Sequence, residues 1–318
     1  MFEMMRNIFI KCEGQWSTVI PQRRRLGRPE IKSIQNDEII VKTIAGAISI
    51  GAELPQYNGS DVTDTHPIYP RKTGYESYGE VIQVGNKVKN LNIGDKVVSF
   101  YGHETIGVVN GYKVIRVPSY IKPKVALLSI LSCDAAKGIL KLNPRQDEKV
   151  LITGMGVIGL LTCYFLKYYI GVEHVDIVEP DRNRREFAQK FSVKNTFDAE
   201  EQIVETYNYG FECSATNSGF HTLQKTLKTN GQICILSDGN IEELTLTADF
   251  YEKELRIIGS SDGYNYQQHA DWFFSQIEKT PWIEEIFQHE IQHTGLIQCF
   301  EELSQGIITP LKVFVSYE

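Results

Sequence analysis

No two of the six cysteines form a CxxC pair: Cys12, Cys133, Cys163, Cys213, Cys234 and Cys299 are scattered along the chain. The spacing offers no thiolate cage for a structural zinc, and it fits reduced thiols in a cytoplasmic protein better than a disulfide framework. Long apolar runs are also missing. Nothing reaches the roughly 18 residues that a membrane span needs. The opening MFEMMRNIFIKCEG is too short and too mixed for a secretory leader. A basic excess is absent, since the net charge is −7. Nucleic-acid binding is therefore not expected, because its usual footprint is a basic domain. The one basic knot, Arg23, Arg24 and Arg25 with Arg28 nearby, reads as a solvated loop. There is no internal repeat and no low-complexity tract.

What is present is an ordinary globular composition, 42% hydrophobic and 23% charged over 318 residues. That length suits one large domain or two ordinary ones. The first third reads as β: EIIVKTI, GEVIQVG, GDKVVSF and YKVIRVP are short β-branched runs separated by turn residues. Such spacing predicts a small barrel or a strongly bent sheet. KVALLSILSCDAAKGILKL then has a helical period and ends at Asn143-Pro144. Beyond it strands and helices alternate, which predicts a parallel sheet with helices on its faces. GFHTLQKTLKT reads as one helix of this series. After residue 263 two helices and a closing strand, LKVFVSY, are predicted to return to the first domain. The expected division is 1–133 and 264–318 for the β-rich domain and 134–263 for the α/β domain.

The sharpest local pattern is Gly154-Met155-Gly156-Val157-Ile158-Gly159 between an apolar strand and an apolar helix. Gly154 permits the tight turn, Gly156 lets backbone approach a pyrophosphate, and Gly159 lets helix pack on strand. The N–H groups that open the helix, at Val157 and Ile158, face the phosphates. Glu179 lies 20 residues beyond Gly159, where a carboxylate accepts the ribose hydroxyls of NAD. Arg182 and Arg184 follow and would instead suit NADP, so both cofactors stay open, with NAD preferred. Cys213, Ser214 and Ser237 end later strands of the unit, where such sheets bind ligands. They are candidates for the nicotinamide side.

The order of parts, with GYESYGEVIQVGNKVKNLNIGDKVV and TGMGVIGLL as its most specific segments, resembles the medium-chain dehydrogenase/reductase superfamily. The resemblance covers nearly the whole chain. It implies a GroES-like catalytic domain, an inserted Rossmann domain and a homodimer joined through the edge strand ELRIIGSS. Zinc-dependent members carry a cysteine ligand, a histidine ligand in GHE, and a third ligand on a later helix. Here Ser49 stands in the first segment and Tyr75 replaces the histidine. The third region contains Cys133, and the structural-zinc lobe has no cysteines. No zinc is expected at either place. AISIGAE resembles the signature of a zinc-lacking branch that includes bacteriochlorophyllide dehydrogenase.

Without zinc, a donor must polarise the substrate oxygen. Tyr75 is the first candidate, Ser49 an orienter or relay, Glu76 a group that tunes Tyr75 or supports the fold. His103 is either an acid reaching the cleft or a surface-loop residue. Tyr57, His66 and Tyr69 lie in a polar stretch expected to rim the pocket for a small-molecule substrate. The expected reaction is alcohol/carbonyl interconversion, in a biosynthetic pathway. Reduction of an activated C=C or C=N bond, and a non-catalytic redox sensor, stay open as alternatives.

Overall fold

A computed structural model describes residues 8–12, 15–19, 34–68, 72–199, 203 and 206–318, the first two segments as backbone only. The arginine knot at 23–28, Tyr69 and the Cys12 side chain lie outside the described residues. The chain divides into two compact units. One comprises Met1–Ser60, Asp64–Ser129 and Tyr266–Glu318, and the other Asp61–Thr63 and Ile130–Asn265.

In the first unit, β1 (Ile8–Cys12) and β2 (Gln15–Val19) form an antiparallel hairpin. A second sheet holds β3 (Glu38–Ile48), β4 (Glu76–Val84), β5 (Lys96–Ser99), β6 (Ile106–Asn110) and β7 (Ile115–Val117). Helix α1 (Ile50–Asn58) follows β3. Ile39, Val41, Val81, Val88, Leu91, Val97 and Tyr101 form one buried cluster of this unit. Helix α2 (Pro123–Leu142) carries the chain into the second unit.

The second unit is a six-stranded parallel sheet: β8 (Lys149–Thr153), β9 (His174–Val178), β10 (Thr196–Phe197), β11 (Tyr207–Glu212), β12 (Leu227–Ile235) and β13 (Arg256–Gly259). Its order is β10-β9-β8-β11-β12-β13. Helices α3 (Val157–Phe165), α4 (Arg182–Ala188), α5 (Asn217–Thr226) and α6 (Ala248–Glu252) connect the strands. The strands read as continuous apolar runs because helices cover both faces of such a sheet. Helix α5 stops at Thr226, short of its expected end. Leu227 turns extended and buried there and opens β12.

The tail rejoins the first unit. It holds α7 (Tyr266–Ser275), β14 (Phe287–Gln292), α8 (Leu296–Ser304) and β15 (Lys312–Ser316). Strand β15 pairs antiparallel with β3 and parallel with β14. β14 is not visible in the sequence pattern, because FQHEIQ shows polar residues on a half-buried edge. Apolar side chains of α8 and β15 pack with Ile48 and Tyr57 into a further core cluster.

Candidate active site

Three strands of the first unit bring one set of polar groups together. Ala47 of β3 opposes Glu76 of β4, and Ile48 opposes Val313 of β15. Ser49 follows Ile48 and Lys312 precedes Val313, so the end of β3 is flanked by Glu76 on one side and Lys312 on the other. Tyr75 immediately precedes β4.

The hydrogen bonds form a chain. The half-buried Tyr75 donates its phenol O–H to Ser49 Oγ at 2.8 Å. Ser49 Oγ donates to Glu76 Oε1 at 2.6 Å. The same oxygen accepts from Lys312 Nζ at 2.6 Å, and that ammonium also lies 3.4 Å from Ser49 Oγ. Glu76 and Lys312 are 1% and 0% exposed, so neither charge is solvated and each depends on the other. Glu76 Oε2 is buried and has no hydrogen-bond partner among the described residues. Burial pushes the Glu76 carboxyl above its ordinary range. Lys312 and the Ser49 hydroxyl oppose that shift, and the nearby Glu53 charge adds to it.

Glu53 is a second buried carboxylate, on α1. Its Oε1 accepts the Ser49 backbone N–H at 2.7 Å, reaching back to the residue that caps the helix. Its Oε2 accepts from Thr73 Oγ1 at 2.7 Å and lies 2.9 Å from His103 Nε2. Burial pushes this carboxyl up, but the charge and hydrogen bond of His103, with Thr73 and Ser49, outweigh it and leave it below the ordinary range. His103 is 2% exposed, which corrects the surface-loop alternative. Gly74 makes the fit possible. Its φ is +85°, and a Cβ there would stand 2.7 Å from the His103 ring.

The sequence brings Ser49, Tyr75 and Glu76 forward, and the fold joins all three. It places His103 beside Glu53 rather than on Tyr75. Tyr57, expected on the rim, is buried and stacks on Phe300 at 5.3 Å. His66 is exposed, with Nδ1 2.9 Å from Thr65 Oγ1. Glu53, Thr73 and Lys312 were missed. Lys312 left one usable signal: a lysine opening an otherwise apolar strand, KVFVS.

A zinc ion does not fit the donor set of this cluster. Serine and phenol hydroxyls are poor zinc ligands beside thiolate and imidazole. Glu76 is already neutralised by an ammonium, which would repel a divalent cation. Cys133, in the segment that carries the third ligand of zinc-dependent relatives, belongs to the second unit. Burial, with Asp134 adding, pushes its thiol up to about 12. Among the described residues no group of three or more His, Cys, Asp or Glu is placed to hold a metal ion.

In the second unit the Gly-rich turn has the shape a dinucleotide requires. Gly154 has φ +86°, and a Cβ there would meet the Ser214 backbone at 2.7 Å. A Cβ on Gly159 would stand 1.9 Å from the Gly154 carbonyl oxygen. Gly156 faces open space, with nothing within 4 Å of the Cβ position, so its backbone is approachable. Val157 and Ile158 open α3 without a side-chain cap at Gly156, leaving first-turn N–H groups for an anion. Glu179 is buried; its two oxygens accept from Met155 N at 2.7 Å and Asp181 N at 2.9 Å. A carboxylate has about four acceptor positions, so capacity remains for ribose hydroxyls. These residues fit a dinucleotide.

Arg184 donates its backbone N–H to the Asp181 carboxylate that caps α4. Arg185 instead binds the Glu179 and Pro180 carbonyls. Ser214 and Ser237 both give their hydroxyls to Glu212, a buried carboxylate missed in the sequence. Cys213 is part-buried, and burial raises its thiol well above the ordinary value, with Glu212 adding.

The Alcohol dehydrogenase GroES-like domain matches residues 35–115. L-threonine 3-dehydrogenase of Photorhabdus laumondii is 24% identical over 265 residues, 70% of this chain and 74% of that one. The first unit thus carries an alcohol dehydrogenase GroES-like domain, and the chain is similar in sequence to L-threonine 3-dehydrogenases. Galactitol-1-phosphate dehydrogenase from Escherichia coli superposes with a TM-score of 0.79 at 18% identity, over 98% of this chain and 100% of that one. A protein described as a zinc-binding dehydrogenase from Sinorhizobium meliloti 1021, bound to NADP, gives 0.77 at 20% identity, over 99% of each chain. The likeness is one of fold over nearly the whole chain: a GroES-like domain and a parallel-sheet, Rossmann-like domain.

Proposed function

We propose that the chain is an NAD(P)-dependent medium-chain dehydrogenase that interconverts an alcohol and a carbonyl on a small organic metabolite without zinc, in a biosynthetic pathway. The observation that carries this reading is the chain from Tyr75 through Ser49 to Glu76. Its outer member, Tyr75, is half-buried and its inner member is a buried charge, the polarity of a proton path. In this reading Tyr75 donates to the substrate oxygen and Ser49 orients the phenol. Glu53 and His103 fix Ser49 from behind through its backbone N–H. Gly154, Gly156, Gly159, Val157, Ile158 and Glu179 hold the dinucleotide, whose nicotinamide supplies or takes the hydride when bound. Cys213, with Ser214 and Ser237, borders the nicotinamide, the two serines being set by Glu212. NAD is preferred over NADP, because Glu179 would repel a 2′-phosphate; Arg184 is the residue that would favour NADP.

We further propose a homodimer through β13, whose outer edge is unpaired among the described residues, and a cytoplasmic location. The five described cysteines are all unpaired, and no helix among the described residues is long and apolar enough to cross a membrane. The test is turnover on alcohols and polyols with NAD and NADP, beside conjugated enones and imines. Tyr75→Phe is expected to lower kcat by about 10²–10⁴-fold, the usual worth of a positioned acid or base, with NADH binding nearly unchanged. A chelator is expected to leave the rate unchanged. Unchanged turnover in Tyr75→Phe, or chelator inhibition reversed by zinc, overturns the reading.

A further inference from the structure

The hydroxyl chain ends on a pair of buried charges that the alcohol/carbonyl reading does not by itself require. Glu76 and Lys312 come from β4 and β15, strands that do not pair with each other but flank β3. Each group is almost wholly withdrawn from water. Replacing such a pair by apolar residues of similar volume is often neutral or stabilising, so fold stability is a weak reason for its presence. The pair is also lopsided. Glu76 Oε1 receives both Ser49 and Lys312, whereas Oε2 is buried without a partner among the described residues. A buried oxygen without a donor penalises a permanent carboxylate. It penalises far less a carboxyl that alternates between charged and neutral forms.

Resting on the reading above, we propose that Glu76 takes up the proton released by the alcohol, and that Lys312 is the positioning residue that keeps Glu76 able to accept it. In the oxidative direction the substrate O–H bond breaks and its proton passes to the Tyr75 oxygen. The Tyr75 proton passes to Ser49 Oγ, and the Ser49 proton to Glu76 Oε1. The substrate C–H bond breaks with its electron pair, the hydrogen leaving as hydride to oxidised nicotinamide, and the C=O bond forms. The products are carbonyl, reduced nicotinamide and a neutral Glu76. The geometry, with Tyr75 and Ser49 both donating inward, is the arrangement ready for this direction. In the reductive direction every proton runs outward.

The groups facing Glu76 set its charge. They are Lys312 from β15, Ser49 and Tyr75 at the strand ends, and Glu53 from α1, whose Oε2 lies 2.9 Å from His103 Nε2. The Phe287 ring covers Lys312 Nζ, 6.0 Å from its centroid. With Lys312 gone, burial and Glu53 both push Glu76 toward the neutral acid. A neutral Glu76 has no place for a second proton on its path.

The experiment is a pH titration of the full-length protein by infrared difference spectroscopy, read at the carboxylic acid C=O stretch. The band absent from Glu76→Gln identifies Glu76. In Lys312→Met its titration is expected to move up by about 1–3 pH units, the effect of removing an adjacent opposite charge. Lys312→Arg is expected to stay near wild type. Lys312→Met/Glu76→Gln removes both charges, so it keeps a folded protein if Lys312→Met alone does not fold. The acid limb of kcat/KM for NAD-linked alcohol oxidation should move alkaline by the same amount in Lys312→Met. A Glu76 band that does not move, or a band that moves while the acid limb stays put, overturns the proposal. So does a Lys312→Met/Glu76→Gln variant that oxidises alcohols at the wild-type rate. All three outcomes leave the Tyr75 reading standing, since Tyr75→Phe and the chelator experiment test that.

Discussion

Ser49 does two jobs with two different atoms. Its backbone N–H is held by Glu53 and its hydroxyl by Glu76, so one residue couples two buried carboxylates. The sequence offers Ser49 only as a hydroxyl in an extended segment. Which acids it meets is decided by the antiparallel register of β3 with β4 and by the first turn of α1. Glu53→Gln keeps the shape but removes the charge that pairs with His103. It is expected to cost about 1–3 kcal/mol, the range for a buried partner left incompletely satisfied, read as a lower urea midpoint at unchanged slope. A midpoint equal to wild type would show that the His103 contact contributes nothing to stability.

At the scale of elements, the Gly-rich turn separates fold from function. Gly159 is required by packing, since any side chain meets the Gly154 carbonyl at 1.9 Å. Gly156 is not, since nothing stands near its Cβ position. Gly159→Ala should therefore unfold at lower temperature. Gly156→Ala should melt like wild type yet bind NADH at least about tenfold more weakly, a loss of about 1.4 kcal/mol. Calorimetric melting and fluorescence titration measure the two effects. Normal NADH affinity in Gly156→Ala would remove this turn from the dinucleotide site. β8, β9, β11 and β13 were legible because parallel strands buried on both faces read as apolar runs. β14 and the true start of β12 were not. A half-buried edge strand carries no strong period, and β12 begins at Leu227, before the irregular Asn230 at φ +62°, with no Gly or Pro to mark its start.

For the whole molecule, acid stability follows from groups in different places. Burial lowers the His269 pKa to about 4 beneath Trp272 and Phe273. The folded state then binds fewer protons than the unfolded state between about pH 6.5 and 4. Its contribution is complete above about pH 6.5 and is lost as pH falls toward 4, about 3 kcal/mol in all. Glu53, also held below its ordinary range, contributes stability above its unfolded value near 4.3 and loses it as pH falls further. Glu76 has the opposite sign. Its raised value gives stability that is complete below its unfolded pKa and is lost as pH rises through the folded one. The net expectation is a decline in urea stability from pH 7 to 5, smaller in a His269→Phe variant. An equal decline in that variant would assign the effect elsewhere.

The β-rich start, the strand and helix alternation after it, the Gly-rich turn and the hydroxyl groups of Ser49 and Tyr75 were legible in the sequence. Each is a local matter of period, backbone freedom or donor chemistry. The company those residues keep was decided only by tertiary structure. Lys312 lies 263 positions from Ser49 along the chain, and strand register alone sets them side by side. Register is a long-range property: it depends on which strands pair, and no short window of sequence contains both partners.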